Sequence, residues 1–232
     1  VGTQAYIRDT LFPVVQKVYH KDSIELYLAS SMPWITTDPY YGYTTASNYL
    51  IAFSAAMSLN PPEADLYCLL SGSPYNLGGI AYVGVVGSPA QYRVSFCNIY
   101  GNEFGIPNDT AYTWNAHVVE HELGHNLGSQ HNQWCGWPGG PIDTCSTPEG
   151  GCYIGPNIPN QHGRIMGYCH MNGAIDPTLG FGPLPSQAMK DHICDNQSSL
   201  LHPDTVIGET QFVTNIGTTT AQLNWVANNP PY

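Results

Sequence analysis

Positive charge is what this 232-residue chain most lacks. It has 6 Lys and Arg against 17 Asp and Glu, a formal net charge of -11. A chain that tracks nucleic-acid phosphates needs a clustered basic surface, and six cations cannot supply one. An anionic membrane surface would repel it for the same reason. No apolar run reaches the roughly 18 residues that span a bilayer; Tyr49–Leu59, the longest, is too short. The first residues carry no basic stretch followed by an apolar one, so the expectation is that a leader or propeptide has been removed ahead of Val1. No Cys-x-x-Cys pair occurs among the seven cysteines, which argues against thiolate zinc sites and thioredoxin-like redox centres. Charged residues are only 10% and apolar residues 42%, which is the composition of a chain that buries a core rather than of a disordered one.

What is present begins with helix and strand signals. Thr3–Tyr19 has apolar residues at helical spacing, with Pro13 expected to weaken or kink it. Ser23–Ser30 alternates as a strand does. Thr45–Leu59 is expected to be a helix capped at Thr44 or Thr45 and stopped by Pro61 and Pro62. Ala64–Leu70, Gly79–Val86 and Tyr92–Tyr100 are expected strands, Thr110–Leu127 a helix, and Ser186–Ile193 a short one. Gly128 to about Pro185 is irregular. Four cysteines, Cys135, Cys145, Cys152 and Cys169, crowd that stretch, and such loops are stapled by disulfides in oxidising compartments. Cys68, among leucines, is expected to be an inert buried thiol. The other six allow 15 pairings. From about Asp204 the chain turns poor in charge and rich in Thr and Asn, with β-like runs at Gln211–Asn215 and Ala221–Ala227. The expected organisation is a main domain over 1–203 and a β-like tail or truncated β-sandwich module over 204–232.

Residues 121–131 read HELGHNLGSQH. His121 and His125 are four apart and project from one helix face. Glu122 follows the first of them. Gly128 supplies the left-handed turn that brings His131 round. Three neutral imidazoles leave a fourth zinc position open, the arrangement of a catalytic rather than a structural site. Such a zinc lowers the pKa of a water from roughly 15.7 to about 7, and Glu122 is placed to take its proton. The chance of this pattern arising in a chain of this composition is on the order of 10⁻⁵ to 10⁻⁴, so three incidental surface histidines are a poor alternative. His117, one turn before His121, is expected to be a packed or exposed histidine, and Glu120 a solvated one-off carboxylate. Asn108–Thr110 and Asn196–Ser198 match the glycosylation sequon. Loop Asp and Asn residues leave Ca²⁺ possible, without EF-hand spacing.

HELGHNLGSQH resembles the elongated zinc motif of metzincins, and RIMGYC (Arg164–Cys169) resembles their Met-turn. The HELGHNLG form, with ADLYCLLSG and GGIAYVG upstream, is similar to the reprolysin or adamalysin family. The resemblance covers roughly residues 1–200. It implies an α+β metzincin (zincin-like) fold: a twisted mixed β-sheet with helices above a cleft, and an irregular, disulfide-stapled lower subdomain. It implies Zn²⁺ on His121, His125 and His131, Glu122 as general base, and Met166 as a packing floor beneath the metal. Tyr168, two residues after Met166, matches the metal-proximal Tyr of astacins and serralysins and is a candidate to stabilise an oxyanion. The edge strand that would hold substrate is expected at Gly79, Ile80, Ala81, Tyr82 and Val83. There are departures. Asn132 follows the third ligand where reprolysins carry Asp, and the strand that opens the family fold before the first helix is either upstream of Val1 or replaced by another segment. The implied protein is a secreted, monomeric zinc endopeptidase acting on proteins or peptides. The competing readings are a catalytically silent or latent binding module on the same scaffold, and an exopeptidase.

Overall fold

The computed structural model describes residues 3–34, 38–104, 112–156, 162–171, 174–201 and 220–228. Its first helical stretch shows what Pro13 does. α1 (Thr3–Tyr6) runs through a π-helical turn (Ile7–Leu11) into α2 (Phe12–Lys21), and the Phe12 N–H reaches back to the Ile7 carbonyl. Proline has no N–H, and its ring collides with the carbonyl four residues before it. A widened turn relieves that collision, so the helix continues instead of breaking. Its inner face (Tyr6, Ile7, Leu11, Val15, Val18, Tyr19) is buried in the main core.

β1 (Glu25–Trp34) follows, then α3 (Ala46–Leu59), whose cap is the Thr45 hydroxyl accepting from the Asn48 N–H at 3.2 Å. β2 (Leu66–Ser71) and β4 (Val94–Asn98) are buried along their whole length. The pleat explains their unbroken apolar character. In β2, Leu66, Cys68 and Leu70 join the main core, while Tyr67 and Leu69 join a second cluster beneath α3 with Tyr49, Phe53 and Phe96. A strand covered on both faces needs apolar residues at both parities.

β3 is shorter than expected, Gly79–Ala81 rather than Gly79–Val86. The chain leaves the sheet because it has other partners. The Gly84 and Val85 N–H groups bond to the His125 and Asn126 carbonyls, each at 2.9 Å, and the Asn126 amide donates to the Tyr82 carbonyl at 2.9 Å. Helix ends leave carbonyls without intrahelical donors, and this segment satisfies those of α4 (Trp114–Asn126). That helix begins at the Thr113 cap and is buried at every residue except Trp114. The part of its expected start at 110 and 111 lies outside the described residues.

Between Gly128 and Gly182 regular structure is sparse among the described residues. β5 (His162–Gly163) and β6 (Ala174–Ile175) form a two-residue parallel pair, and α5 (Pro183–Asp195) extends the expected Ser186–Ile193 at both ends. Pro183 and Pro185 fall in its first turn, where the missing N–H costs nothing. Two disulfides cross-link the stretch, Cys135–Cys152 and Cys145–Cys169. These are all the bridges among the described residues. Cys68 is a buried free thiol as expected, but it is not the one cysteine outside the bridges: Cys97, whose Sγ lies 3.7 Å away, and Cys194 are also unbridged among the described residues.

β7 (Thr220–Asn228) lies in the segment assigned to the tail. It pairs in parallel with β1 on one side and β2 on the other. The other β-like run of that segment, Gln211–Asn215, is outside the described residues. The sheet order is β1-β7-β2-β4-β3, with the first four strands parallel and β3 antiparallel at the edge. This is a mixed sheet with helices packed on it and a loop-rich lower half, an α+β architecture.

Candidate metal centre

α4 presents His121 and His125 one turn apart, with ring centroids 4.9 Å apart. Gly128, at φ 112°, then ends the helix. A side chain there would be strained twice over, by that φ and by a Cβ placed 2.9 Å from the His192 Cβ. The turn returns the chain so that the His131 ring lies 4.5 Å from that of His125 and 5.1 Å from that of His121. One nitrogen from each of the three lies within 4.8 Å of the others.

The hydrogen bonds decide which nitrogens those are. His121 Nδ1 is 2.7 Å from the Ile165 carbonyl and His125 Nδ1 is 2.8 Å from the Ser129 carbonyl. Carbonyl oxygens only accept, so both Nδ1 atoms carry hydrogen. Burial holds both rings neutral, pushing His125 down to about 3 and His121 well below its usual value, with neighbouring histidines adding to the effect. A neutral ring protonated at Nδ1 has a bare lone pair at Nε2. His131 repeats the pattern with a carboxylate, its Nδ1 lying 3.0 and 2.9 Å from the two Glu149 oxygens. His125 Nε2 and His131 Nε2 then face one another at 2.9 Å. Two lone pairs so close repel unless a cation lies between them. The donor set and its tautomers therefore fit zinc, which takes neutral imidazole nitrogen.

Glu122 lines the cleft and makes no hydrogen bond among the described residues. Its carboxyl is pushed well above the usual range by burial, and secondarily by Cys68. A divalent cation beside it would favour the ionised form. Its place depends on the edge strand: a Cβ on Gly79 would stand 2.5 Å from Glu122 Oε1. The Tyr168 hydroxyl is 2.9 Å from His131 Nε2, and burial raises that phenol to about 12, so it stays a neutral donor. Met166 is fully buried, and a Cβ on Gly124 would meet its Sδ at 2.5 Å. Its backbone works as well. The Met166 carbonyl accepts the Asn132 N–H at 2.9 Å, beside the Ile165 carbonyl that orients His121. The candidate edge is divided: Gly79, Ile80 and Ala81 form β3, while Tyr82 and Val83 lie beyond it.

The cleft encloses a cavity of about 260 Å³ walled by Leu77, Trp114, His117, Val118, His170 and Met171 among others. His117 is packed, edge-on to Trp114 and His170, and burial takes it down to about 3. Glu120 corrects an expectation. It is fully buried rather than solvated, the Tyr112 hydroxyl donates to its Oε2, and burial holds its carboxyl well above the usual range. Two further polar residues, Asp143 and Glu149, have no counterpart in the sequence expectations. Asn132 donates to Asp143 at 2.9 Å, both being fully buried, so a carboxylate sits beside the residue after the third histidine although position 132 itself carries none. Glu149 contacts His131 from 18 positions away. Its only sequence signal is a lone carboxylate in a glycine-rich run between cysteines. The other grouping of possible ligands among the described residues, Asp143, Cys145 and Cys169, has both sulfurs in one disulfide and offers a single carboxylate.

No curated protein matches the chain with significance. The reprolysin-type model of metallo-peptidase family M12 matches residues 2–176, which takes in the whole histidine motif, the Met-turn and three of the sheet's strands beyond β1. With three Nε2 lone pairs converging under a mixed sheet, the chain belongs to metallo-peptidase family M12, as a reprolysin-like metzincin.

Proposed function

We propose that this chain is a secreted zinc endopeptidase that hydrolyses internal peptide bonds, with Glu122 as general base and no covalent intermediate. One observation carries the reading: all three histidines commit Nδ1 outward and turn Nε2 lone pairs onto one point, beside Glu122, which makes no hydrogen bond among the described residues. Zinc at those nitrogens would supply Lewis-acid activation of water and of the scissile carbonyl. Glu122 takes the proton from the attacking water and delivers it to the leaving amine. The neutral Tyr168 phenol donates to the oxygen that gains charge at the carbonyl. Substrate adds as a strand along β3, whose far edge has no partner among the described strands. The two disulfides support an oxidising, extracellular setting. The silent-module reading is disfavoured because all three ligands and Glu122 are in place.

The test uses internally quenched, termini-blocked peptides, with Glu122→Ala beside the wild type. The wild type is expected to cut internal bonds. The variant is expected to keep zinc and lose about 10²–10⁴-fold in rate, the usual contribution of a positioned acid–base group. A folded, zinc-loaded wild type that cuts nothing would defeat the assignment, and one that cuts only unblocked peptides would make it an exopeptidase.

A further inference from the structure

We infer that Glu149 is a positioning residue for the metal centre: it holds His131 as a ligand, and the Cys135–Cys152 disulfide holds Glu149. The inference rests on the zinc-site reading above and goes beyond it to a residue outside the histidine motif. His121 and His125 are aimed by a helix, and their Nδ1 hydrogens go to backbone carbonyls. His131 stands on an irregular segment, and both oxygens of Glu149 lie within 3.0 Å of its Nδ1. An ionised carboxylate does two things there that a carbonyl does less well. It selects the tautomer that leaves Nε2 bare, and its charge makes that nitrogen a better donor to a cation. Outer partners of this kind are worth roughly 10–100-fold in metal affinity.

Glu149 is itself fixed. Its N–H donates to the Gln133 carbonyl and its carbonyl accepts the Cys135 N–H, each at 2.9 Å. That places the Trp134–Glu149 bridge immediately beside one end of the disulfide. The Gln133 side chain donates to Glu149 Oε1 at 3.0 Å, and the Trp137 indole N–H donates to the His131 carbonyl at 2.7 Å. The Glu149 side chain is 41% exposed, so water could replace its hydrogen bond. What water cannot replace is a negative charge held at one place by a pinned backbone.

The experiment measures zinc affinity by competition with a chromophoric chelator, for wild type, Glu149→Ala, Glu149→Gln and the Cys135→Ser/Cys152→Ser double variant. The thermal midpoint of each metal-free protein is measured alongside. Glu149→Ala is expected to weaken zinc binding by about 10–100-fold with the metal-free midpoint unmoved. Glu149→Gln, which keeps an acceptor and loses the charge, is expected to fall between it and wild type. The double variant is expected to weaken zinc as Glu149→Ala does, and to lower the midpoint as well. Unchanged zinc affinity in both Glu149 variants would overturn the inference, as would a Glu149→Ala loss that merely tracks a fallen metal-free midpoint. A wild type that binds no zinc would remove the metal site itself, an outcome distinct from either.

Discussion

The candidate metal centre is held from two sides by different means. Above it, α4 carries His121 and His125 and is buried at twelve of its thirteen residues against the sheet, α2 and the Met-turn. Below it, His131 lies in a stretch with almost no regular structure. It is fixed by separate ties: the Trp137 indole on its carbonyl, Glu149 on its ring, and the Met166 carbonyl on the N–H of the next residue. Packing spreads a helix's precision over many contacts, so no one of them is decisive. Discrete ties concentrate precision, so each counts singly. A metal would join the two sides at the histidine rings, in addition to the Ile165 carbonyl on His121 Nδ1.

Metal removal should break the comparison most widely. A ligand at 1,000 times its Kd stabilises the folded state by about 4 kcal/mol. Chelation is expected to cost that much overall, and to cost it unevenly. Hydrogen exchange should accelerate first in residues 131–171 and leave β2, β4 and the inner face of α4 protected, because those elements keep their packing without the metal. Equal loss of protection on both sides would mean that the sheet half also depends on zinc.

Gly124→Ala attacks the upper side and should have the next largest effect on stability. Alanine gains about 1 kcal/mol over glycine inside a helix. Here the added Cβ would sit 2.5 Å from Met166 Sδ and 3.3 Å from Phe181, both fully buried. Overpacking of a close-packed core costs about 1–3 kcal/mol, so the clash outweighs the propensity. Net destabilisation near 1 kcal/mol is expected in urea unfolding, with weaker zinc binding because the Met-turn carries the carbonyl that orients His121. A stabilised variant would show that Met166 is free to move.

How far the two sides were legible in the sequence follows the same division. Helical spacing, the Thr45 cap, the apolar runs of β2 and β4 and the glycine that had to take a positive φ at 128 are local properties, and each has a local signal. The candidate ligands His121, His125 and His131 fall within eleven positions, so their grouping has a local signal. Glu149 and Asp143 act on residues 18 and 11 positions away through loops with no period, so nothing in the sequence pointed from one partner to the other. Glu120 was misjudged because amphipathic reasoning assigns one face of a helix to water, and α4 has no such face. β3 was overestimated because Tyr82–Val86 is as apolar as a strand, although its hydrogen bonds go to the end of α4.

The gentlest change proposed acts where the sheet meets the chemistry. Gly79 belongs to β3, and its missing side chain is what admits the Glu122 carboxyl. In Gly79→Ala the new Cβ would fall within 2.7 Å of Glu122 Cγ, Cδ and Oε1. Something must shift, and the Glu122 side chain is the freer partner, since its carboxyl borders the cleft cavity and makes no hydrogen bond among the described residues. Stability should therefore change by less than about 1 kcal/mol, within the range of volume changes a site can absorb by rearrangement. The rate should suffer more, because Glu122 is the proposed general base and a displacement of about 1 Å can cost up to 10²-fold. The expected signature is a fall in kcat with KM and zinc affinity nearly unchanged, measured on the termini-blocked peptides. A raised KM with kcat intact would instead place Gly79 in the track of the substrate strand, and the close approach to Glu122 would then be incidental to catalysis.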